Sequence, residues 1–361
     1  MAGPSSLSRT LAMDSKVSPA SRWASSLPDD LVHLVASRLL AGDLLDYVRF
    51  RAVCALWRSG TASPHGHGVV DPRFHPRRWM MLPEGDALYP GHPRLHGYVR
   101  FFNLDTGALV RVHIPLFEDH CILDSYQGLL LLQRDHDTAI RLLHPFTGDI
   151  LELPPLSTLL PEMRRLHFSR RRVPKQKMLS IIRSLSAAAA FADGAVTVML
   201  AFKLMHFVAV ATSGDGQWTM PTWRYEIGRP LLSFQGKIYV VYETPVEQCD
   251  SEVLVIGHNT SRSDIRVYKL ADLVMERYIP VRSIGGKVIF SQDRALSAST
   301  KALPTAMRDT IMYTWCSREL VQYHLSSGTW SPAMDQCSIL GIEQLGPCSL
   351  GGPVGYRFGG P

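Results

Sequence analysis

The sequence has few of the features that mark metal sites, redox sites and disordered chains. Its six cysteines among 361 residues include no C-x-x-C pair, which argues against zinc ribbons and redox motifs and suits free thiols in a reducing compartment. Charged residues make up 19% of the chain and hydrophobic residues 46%, which is typical of a globular protein and not of a disordered one.

Catalytic signatures are also missing. The chain contains no G-x-S-x-G nucleophile elbow, no H-E-x-x-H zinc motif, no Walker loop and no G-x-G-x-x-G turn after a strand. Asp135, His136 and Asp137 stand together on a predicted turn, where solvated polar residues are expected and not an acid–base set. We therefore expect no catalytic residue, no metal site and no cofactor, and we predict that the protein is not an enzyme.

No segment has the length and apolarity of a membrane-spanning helix. The run AVTVMLAFKLMHFVAVA at 195–211 is interrupted by Lys203 and His206 and falls short of the roughly 20 residues such a helix needs. We interpret it as two buried strands joined by a turn near Lys203. Residues 1–22 lack the apolar core of a secretory signal and are predicted to be a disordered tail, so we expect the protein in the cytoplasm, the nucleus or both.

Positive charge is concentrated in one segment. The net charge is +6, but residues 164–177 contain seven Lys and Arg and no acid, so the rest of the chain sums to 6 − 7 = −1. A basic insertion at 157–180 is predicted, either as a solvated connection between strands or as a nuclear-import or polyanion patch. Because the rest is near neutral, we do not expect a nucleic-acid partner. The patch comprises Arg164, Arg165, Arg170, Arg171, Arg172, Lys175 and Lys177.

Residues 23–60 have the pattern of a small helical unit. Pro28 suits a first helical turn, Gly42 interrupts the pattern, and Asp43 is predicted to cap a second helix. Residues 61–78 are rich in Gly, Pro and His and predict a linker, whose histidines are not expected to bind a metal. Apolar residues follow helical spacing through the unit, at Leu31, Leu34, Val35, Leu39, Leu44, Tyr47, Val48, Val53 and Trp57.

From residue 79 to 361 the pattern changes to short strands separated by turns. A glycine opens an apolar strand at 128, 194, 236 and 286, with intervals of 66, 42 and 50 residues, and the basic insertion lengthens the first interval. Hairpins repeating every 40 to 50 residues are typical of propeller blades. The predicted fold is therefore mostly β, with a C-terminal β-propeller of about six blades or an incomplete ring, and a pair of β-sandwiches is the alternative.

The helical unit combines a Leu-Pro start, a central Asp-Leu-Leu and a Val-Cys-x-x-Trp-Arg close. The residues are Leu27-Pro28, Asp30-Leu31, Val35, Leu39, Asp43-Leu44-Leu45, and Val53-Cys54 followed by Trp57-Arg58. In this combination the unit resembles the F-box. The stretches LLHPFTGDILELPPL, GDGQWT, FQGKIYVV, DIRVYKL and GGKVIFSQDRALSASTKALP are similar to those of a plant F-box family with a C-terminal kelch-like β-propeller. Tyr278 departs from that family, in which a tryptophan is common at this position.

This resemblance implies that the helical unit binds a Skp-type adaptor, which joins it to a cullin–RING ubiquitin ligase, while the propeller recruits an unknown protein substrate. The physical pattern agrees, because three short helices cannot bury all their apolar side chains among themselves. The implied adaptor-binding residues are Leu27, Pro28, Asp30, Leu31, Val35, Leu39, Leu44, Leu45, Val48, Val53, Cys54 and Trp57.

Several alternatives stay open at this point. In the first alternative, the apolar face of the helices packs against the propeller and not against a partner. In the second, the protein is an interaction scaffold or nuclear regulator that is not coupled to a cullin. A propeller enzyme such as a hydrolase would need buried acids or histidines at the mouth of its channel. Trp218, Trp223 and Trp330 either line a ligand pocket or pack between blades.

Overall fold

The chain divides between Ser63 and Pro64 into a helical unit and a second unit that is mostly β. No helix among the described residues has the length and apolarity required to cross a membrane. The computed structural model describes residues 27–83, 97–167, 174, 181–223, 225–226, 231–234, 236–240, 246–249, 252–258, 264–291, 295–314 and 320–333.

The predicted interruption at Gly42 and the predicted cap at Asp43 occur in the helical unit, whereas Pro28 lies just before the first helix as its N-cap. The carboxylate of Asp43 accepts hydrogen bonds from the backbone N–H groups of Leu45 and Asp46 at 2.8 and 3.3 Å, which is an N-cap. The Cys54 thiol caps the next helix by accepting from Trp57 N at 3.5 Å. The three helices are α1 (Asp29–Gly42), α2 (Leu44–Arg51) and α3 (Ala55–Ser59).

Two stacked aromatic rings form the interior of the helical unit. The rings of Phe50 and Trp57 are nearly parallel, with centroids 4.3 Å apart. The Thr61 hydroxyl donates to the Trp57 carbonyl and the Tyr47 hydroxyl donates to the Ala62 carbonyl, both at 2.6 Å, so the segment after α3 is tied back onto the helices. The buried apolar residues of the unit are Val32, Ala36, Leu44, Tyr47, Phe50 and Trp57.

The described part of the second unit contains twenty strands, two α-helices and three short 3-10 helices, and residues 181–183 are also helical. The α-helices are α4 (Leu160–His167) and α5 (Leu270–Val274), and the 3-10 helices are Pro72–Phe74, Pro115–Glu118 and Leu156–Leu159. The strands are β1 (Trp79–Pro83), β2 (Tyr98–Asn103), β3 (Leu109–His113), β4 (His120–Tyr126), β5 (Leu129–Arg134), β6 (Ile140–Leu143), β7 (Ile150–Leu153), β8 (Leu185–Ala192), β9 (Ala195–Phe202), β10 (Val208–Thr212), β11 (Leu231–Phe234), β12 (Lys237–Val240), β13 (Val246–Cys249), β14 (Glu252–His258), β15 (Ile265–Lys269), β16 (Lys287–Ser291), β17 (Ala295–Ser299), β18 (Thr310–Thr314), β19 (Leu320–His324) and β20 (Thr329–Pro332).

The strands form six sheets in the described residues, each built from strands that are consecutive in the chain. Pairing is antiparallel throughout, except that β16 and β18 are parallel. The mostly β fold predicted from the sequence is confirmed. The sheets are β1–β2–β3, β4–β5–β6–β7, β10–β9–β8, β11–β12, β13–β14–β15 and β17–β16–β18–β19–β20.

Tight hairpin turns explain the glycines at 128, 194 and 236 of the sequence repeat, whereas the glycine at 286 precedes β16 outside any hairpin. Gln127 and Gly128 join β4 to β5 with φ of 51° and 82°, and Asp193 and Gly194 join β8 to β9 with φ of 51° and 76°. Two successive residues with positive φ are the signature of type I′ turns, whose twist matches that of the strands they join. Glycine takes this conformation without steric strain, so it recurs at the corresponding position of successive sheets.

Contacts join the first sheet to the second, the second to the third, and the last to the first. Phe146, after β6, packs edge-on against an aromatic ring of β2 with centroids 5.0 Å apart. Asp124 of β4 accepts a hydrogen bond from Ala187 N of β8 at 2.5 Å. The last sheet also meets the first, because Ser299 N donates to the carbonyl of Leu104 at 2.7 Å.

The largest apolar cluster lies between the sheets β4–β7 and β8–β10. Residues 129–132 of β5 are all buried, on both faces of their sheet, because neighbouring elements cover both sides. Leu156 and Met163, before and within α4, close this cluster. The predicted pair of buried strands at 195–211 corresponds to β9 and β10, with the chain turning at Lys203.

Residues 64–78 pack against the sheet β4–β7, although their composition predicts a linker. The Asp149 carboxylate accepts from the backbone N–H groups of Gly66 and Gly68 at 2.9 and 2.8 Å. A Cβ on Gly68 would come within 2.6 Å of the Thr147 hydroxyl oxygen, so glycine permits this close approach. Phe74 of the same segment is buried. Glycine in this segment therefore allows close packing more than it provides backbone flexibility.

We expect the unfolding free energy to fall as the pH decreases from 6.5 to about 4. Burial lowers the pKa of His75 from 6.5 to about 4, and its Nε2 lies 3.0 Å from the Val69 carbonyl oxygen. The unfolded chain therefore binds a proton that the folded chain does not, so stability is highest above pH 6.5 and decreases by about 3 kcal/mol towards pH 4. Urea unfolding of the full chain at pH 4.5 to 7.5 measures this slope.

The matched control is His75→Gln, which retains an amide donor and does not titrate. Its slope should be shallower but not zero, because burial also lowers the pKa of His144. An equal slope in both proteins would show that His75 is not the titrating group.

Candidate functional site

The helical unit exposes large apolar side chains. The exposed fractions of six of them lie between 40% and 52%. We call them the apolar set: Leu31, Leu34, Val35, Val48, Val53 and Leu56.

Helix α1 is inverted relative to an ordinary surface helix. Its large residues Leu31, Leu34 and Val35 are exposed and share one side, since positions three and four apart are neighbours on a helix. Its buried residues are Val32 and Ala36, whereas both leucines of the exposed group point away from the interior.

The twelve residues predicted to bind an adaptor divide into three groups by burial. Leu44 and Trp57 are buried and hold the helices together from inside. The exposed group is Pro28, Asp30, Leu31, Val35, Val48 and Val53, and the half-buried group is Leu27, Leu39, Leu45 and Cys54.

Two further leucines, Leu34 and Leu56, are exposed although the F-box pattern does not include them. The helical spacing after Leu31 is the signal that points to Leu34.

The chemistry available on this surface is apolar burial. The apolar set contains no titratable side chain, and the nearby Arg49–Asp46 ion pair at 3.1 Å is exposed on both sides. Exposed pairs of this kind contribute little to stability or binding. Covering apolar surface contributes about 25 cal/mol per Å², which makes the apolar set the main source of binding free energy here.

The structure describes only the beginning of the predicted basic patch. Arg164 and Arg165 are exposed on α4, and Arg165 forms an ion pair with Glu162. Leu160 and Met163 of the same helix are buried, so the start of the predicted insertion belongs to the core. The residues that lie outside the described part of the chain are Arg170, Arg171, Arg172, Lys175 and Lys177.

Two of the three tryptophans considered for a ligand pocket pack against other residues. Trp218 is buried and its indole N–H donates to the Pro154 carbonyl at 2.6 Å. Trp330 packs edge-on against Tyr323 with ring centroids 5.1 Å apart. Trp223 is exposed.

The acidic turn after β5 is held by an ion pair. Arg134 bonds Asp137, and this pairing holds the pKa of Asp137 well below its usual range. His136 lies 3.8 Å from the same carboxylate and is largely exposed. Within the described ranges, no group of three or more His, Cys, Asp or Glu side chains is placed to hold a metal ion.

One protein-family model matches part of the second unit. The KIB1-4 beta-propeller family model matches residues 101–250, which run from within β2 to the end of β13. This stretch resembles a β-propeller. The match covers less than half of the chain and includes none of the helical unit. No curated protein and no solved structure matches the chain. The chain is thus mostly β and carries a domain similar to a β-propeller.

Truncating a buried and an exposed residue of the helical unit should have very different effects. Trp57→Ala removes one of the two stacked rings and is expected to cost about 3–5 kcal/mol, enough to unfold α1–α3. Leu34→Ala changes an exposed position and should cost less than about 0.5 kcal/mol. Amide hydrogen exchange of α1–α3 in the full chain measures both effects. Equal protection in the two variants would mean that Trp57 is not the centre of the unit.

Proposed function

We propose that the protein is the substrate-receptor subunit of a Skp–cullin–F-box ubiquitin ligase. Helices α1–α3 bind a Skp-type adaptor, and the second unit recruits a protein target for ubiquitination by the attached cullin–RING ligase. The observation that carries this proposal is the exposure of Leu31, Leu34 and Val35 on α1, whose buried residues are Val32 and Ala36. The sequence of the same unit resembles the F-box.

The apolar set suits an interface with a permanent protein partner. Soluble proteins seldom leave contiguous apolar surface uncovered, and a standard interface buries about 800 Å² on each side. Six exposed large side chains, with the half-buried Leu27, Leu39 and Leu45 of the same unit, would provide the apolar part of such an area. An adaptor with an apolar groove would cover them.

A receptor in this role needs no catalytic residue. It raises the effective concentration of the target near the ubiquitin-loaded enzyme, and this gain comes from tethering. We therefore propose that the protein is a non-catalytic subunit that acts in the cytoplasm, the nucleus or both.

The second unit is proposed to be a propeller ring of about six blades. The family similarity of residues 101–250 supports it, and so does the sequence of six sheets in the described residues. The hydrogen bond from Ser299 N to the Leu104 carbonyl is consistent with a ring, because it brings the last sheet to the first. Loops at one end of such a ring are the usual place for recognition residues.

Charged substitutions in the apolar set should abolish adaptor binding without unfolding the protein. Leu31→Asp with Val35→Asp places two carboxylates in the proposed interface, and we expect the Kd for a purified Skp-type adaptor to rise by roughly a hundredfold or more. Isothermal titration with the full-length chain measures it. The matched control is Leu204→Asp, which is 62% exposed in the turn after β9.

The proposal is wrong about the interface if the double variant binds the adaptor as tightly as the unmodified chain. Circular dichroism confirms that both variants remain folded. A reconstituted ligase then separates receptor from scaffold: adaptor binding without ubiquitin transfer to any bound protein favours the scaffold or nuclear regulator that is not coupled to a cullin.

A further inference from the structure

One exposed arginine lies on the same side of α1 as the apolar set. Arg38 follows Leu34 by four residues and Val35 by three, and positions three and four apart are neighbours on the surface of a helix. All three side chains are exposed. Arg38 is therefore a cationic group beside the apolar set, although it is not among the twelve residues predicted to bind an adaptor.

Nothing within α1 accounts for this charge. The positions three and four away from Arg38 are Leu34, Val35, Ala41 and Gly42, so no intrahelical ion pair forms. The last turn of α1 contains no basic residue, and Arg38 precedes it, outside the region where a cation stabilises the helix dipole. None of the residues that the structure describes forms an ion pair with Arg38.

The other arginines of the helical unit are bonded within the unit or lie on another side. Arg49 forms the ion pair described above, and Arg51 donates to the Thr61 hydroxyl at 3.1 Å. Arg58 is exposed and follows Leu56 by two positions, which places the two side chains on different sides of α3. Arg58 is thus a matched control for Arg38, since both are exposed arginines of the same unit.

The apolar set alone does not fix the direction in which a partner lies along α1, because apolar burial is non-directional. Charges at the two ends of the row supply that direction. Asp30 is exposed in the first turn, next to Leu34, and Arg38 lies eight residues further on, about 12 Å along the axis at 1.5 Å per residue. A groove with complementary charges therefore accepts α1 in one direction only.

An arginine beside apolar side chains contributes to binding in two ways. Its aliphatic stem lies along the apolar surface and adds contact area. Its guanidinium group, a planar donor with five N–H groups, pairs with a carboxylate of the partner. At the rim of an interface, such a charge acts mainly on the rate of association and on its salt dependence.

We propose that Arg38 is a binding residue of the helical unit and that the partner covering the apolar set carries an acidic side chain opposite it. The partner is thus an adaptor whose apolar groove has an acidic rim towards the C-terminal end of α1. This inference rests on the proposed function, because it takes the Skp-type adaptor as the occupant of the apolar set. It adds a charge requirement that the adaptor must meet.

Association of the full-length chain with a purified Skp-type adaptor tests the charge requirement, with surface plasmon resonance measuring both rates. Arg38→Glu should raise the Kd by roughly tenfold or more at low salt, mainly by slowing association. Arg38→Lys keeps the charge and should recover most of the affinity. The matched control Arg58→Glu should bind like the unmodified chain.

Salt distinguishes a charge contact from a packing contact. Between ionic strengths of about 0.01 M and 1 M the Debye length falls from about 30 Å to about 3 Å, so the difference in association rate between Arg38→Glu and the unmodified chain should narrow. Arg38→Met keeps an apolar stem without the charge, and its binding should depend less on salt than that of the unmodified chain. Equal salt dependence in these two proteins would leave packing as the role of Arg38 and would contradict the acidic rim.

Two further results would overturn the inference. Either Arg38→Glu associates as fast as the unmodified chain, or Arg58→Glu slows association equally, which would indicate attraction between net charges and no local contact. Circular dichroism confirms that the variants are folded.

Failure of this inference is distinguishable from failure of the proposed function. An unmodified chain that binds the adaptor regardless of the charge at position 38 contradicts the acidic rim alone. An unmodified chain that does not bind the adaptor contradicts the proposed function, and with it the role assigned to Arg38.

Discussion

The limited interior of three short helices is the constraint on which the proposed function depends. The stacked rings of Phe50 and Trp57 lie in the interior of the unit, and Val32 and Ala36 are the buried residues of α1. Other apolar residues of the helices are exposed, although apolar contact with water is unfavourable. The proposed binding surface thus reflects how little a unit of this size can bury.

The second unit buries its apolar side chains more fully than the helical unit does, because its sheets cover one another. Residues 129–132 form a continuous apolar run that is buried on both faces, and Asp124 uses its buried carboxylate to bond the backbone of the next sheet. The turns that connect the sheets are more exposed, and the one between β15 and β16 is bonded at both ends and exposes large apolar side chains.

Features fixed by neighbouring residues could be predicted from the sequence, and features fixed by distant ones could not. The Asp43 cap and the glycine hairpins depend on two or three adjacent residues, so their signals are local. The alanine-rich strand β8 favours a helix by propensity, and only the sheets packed around it make it a strand. The segment around Gly66 has the composition of a linker. Its packing could not be predicted, because the Asp149 carboxylate that accepts the Gly66 hydrogen bond lies 83 residues away in the sequence. The F-box pattern likewise includes buried Trp57, since a family pattern records residues needed for folding together with those needed for binding.

The contact between the first and last sheets bears on how the protein is made. Leu104 and Ser299 are 299 − 104 = 195 residues apart, so the first sheet leaves the ribosome long before its last neighbour exists. At about 5–20 residues per second, translation of that stretch takes roughly 10 to 40 s. Hairpins themselves form within about 10 μs, so the first sheet pairs early and then waits with one apolar side uncovered. During those seconds the uncovered apolar surface makes the nascent chain more prone to aggregation than the finished protein.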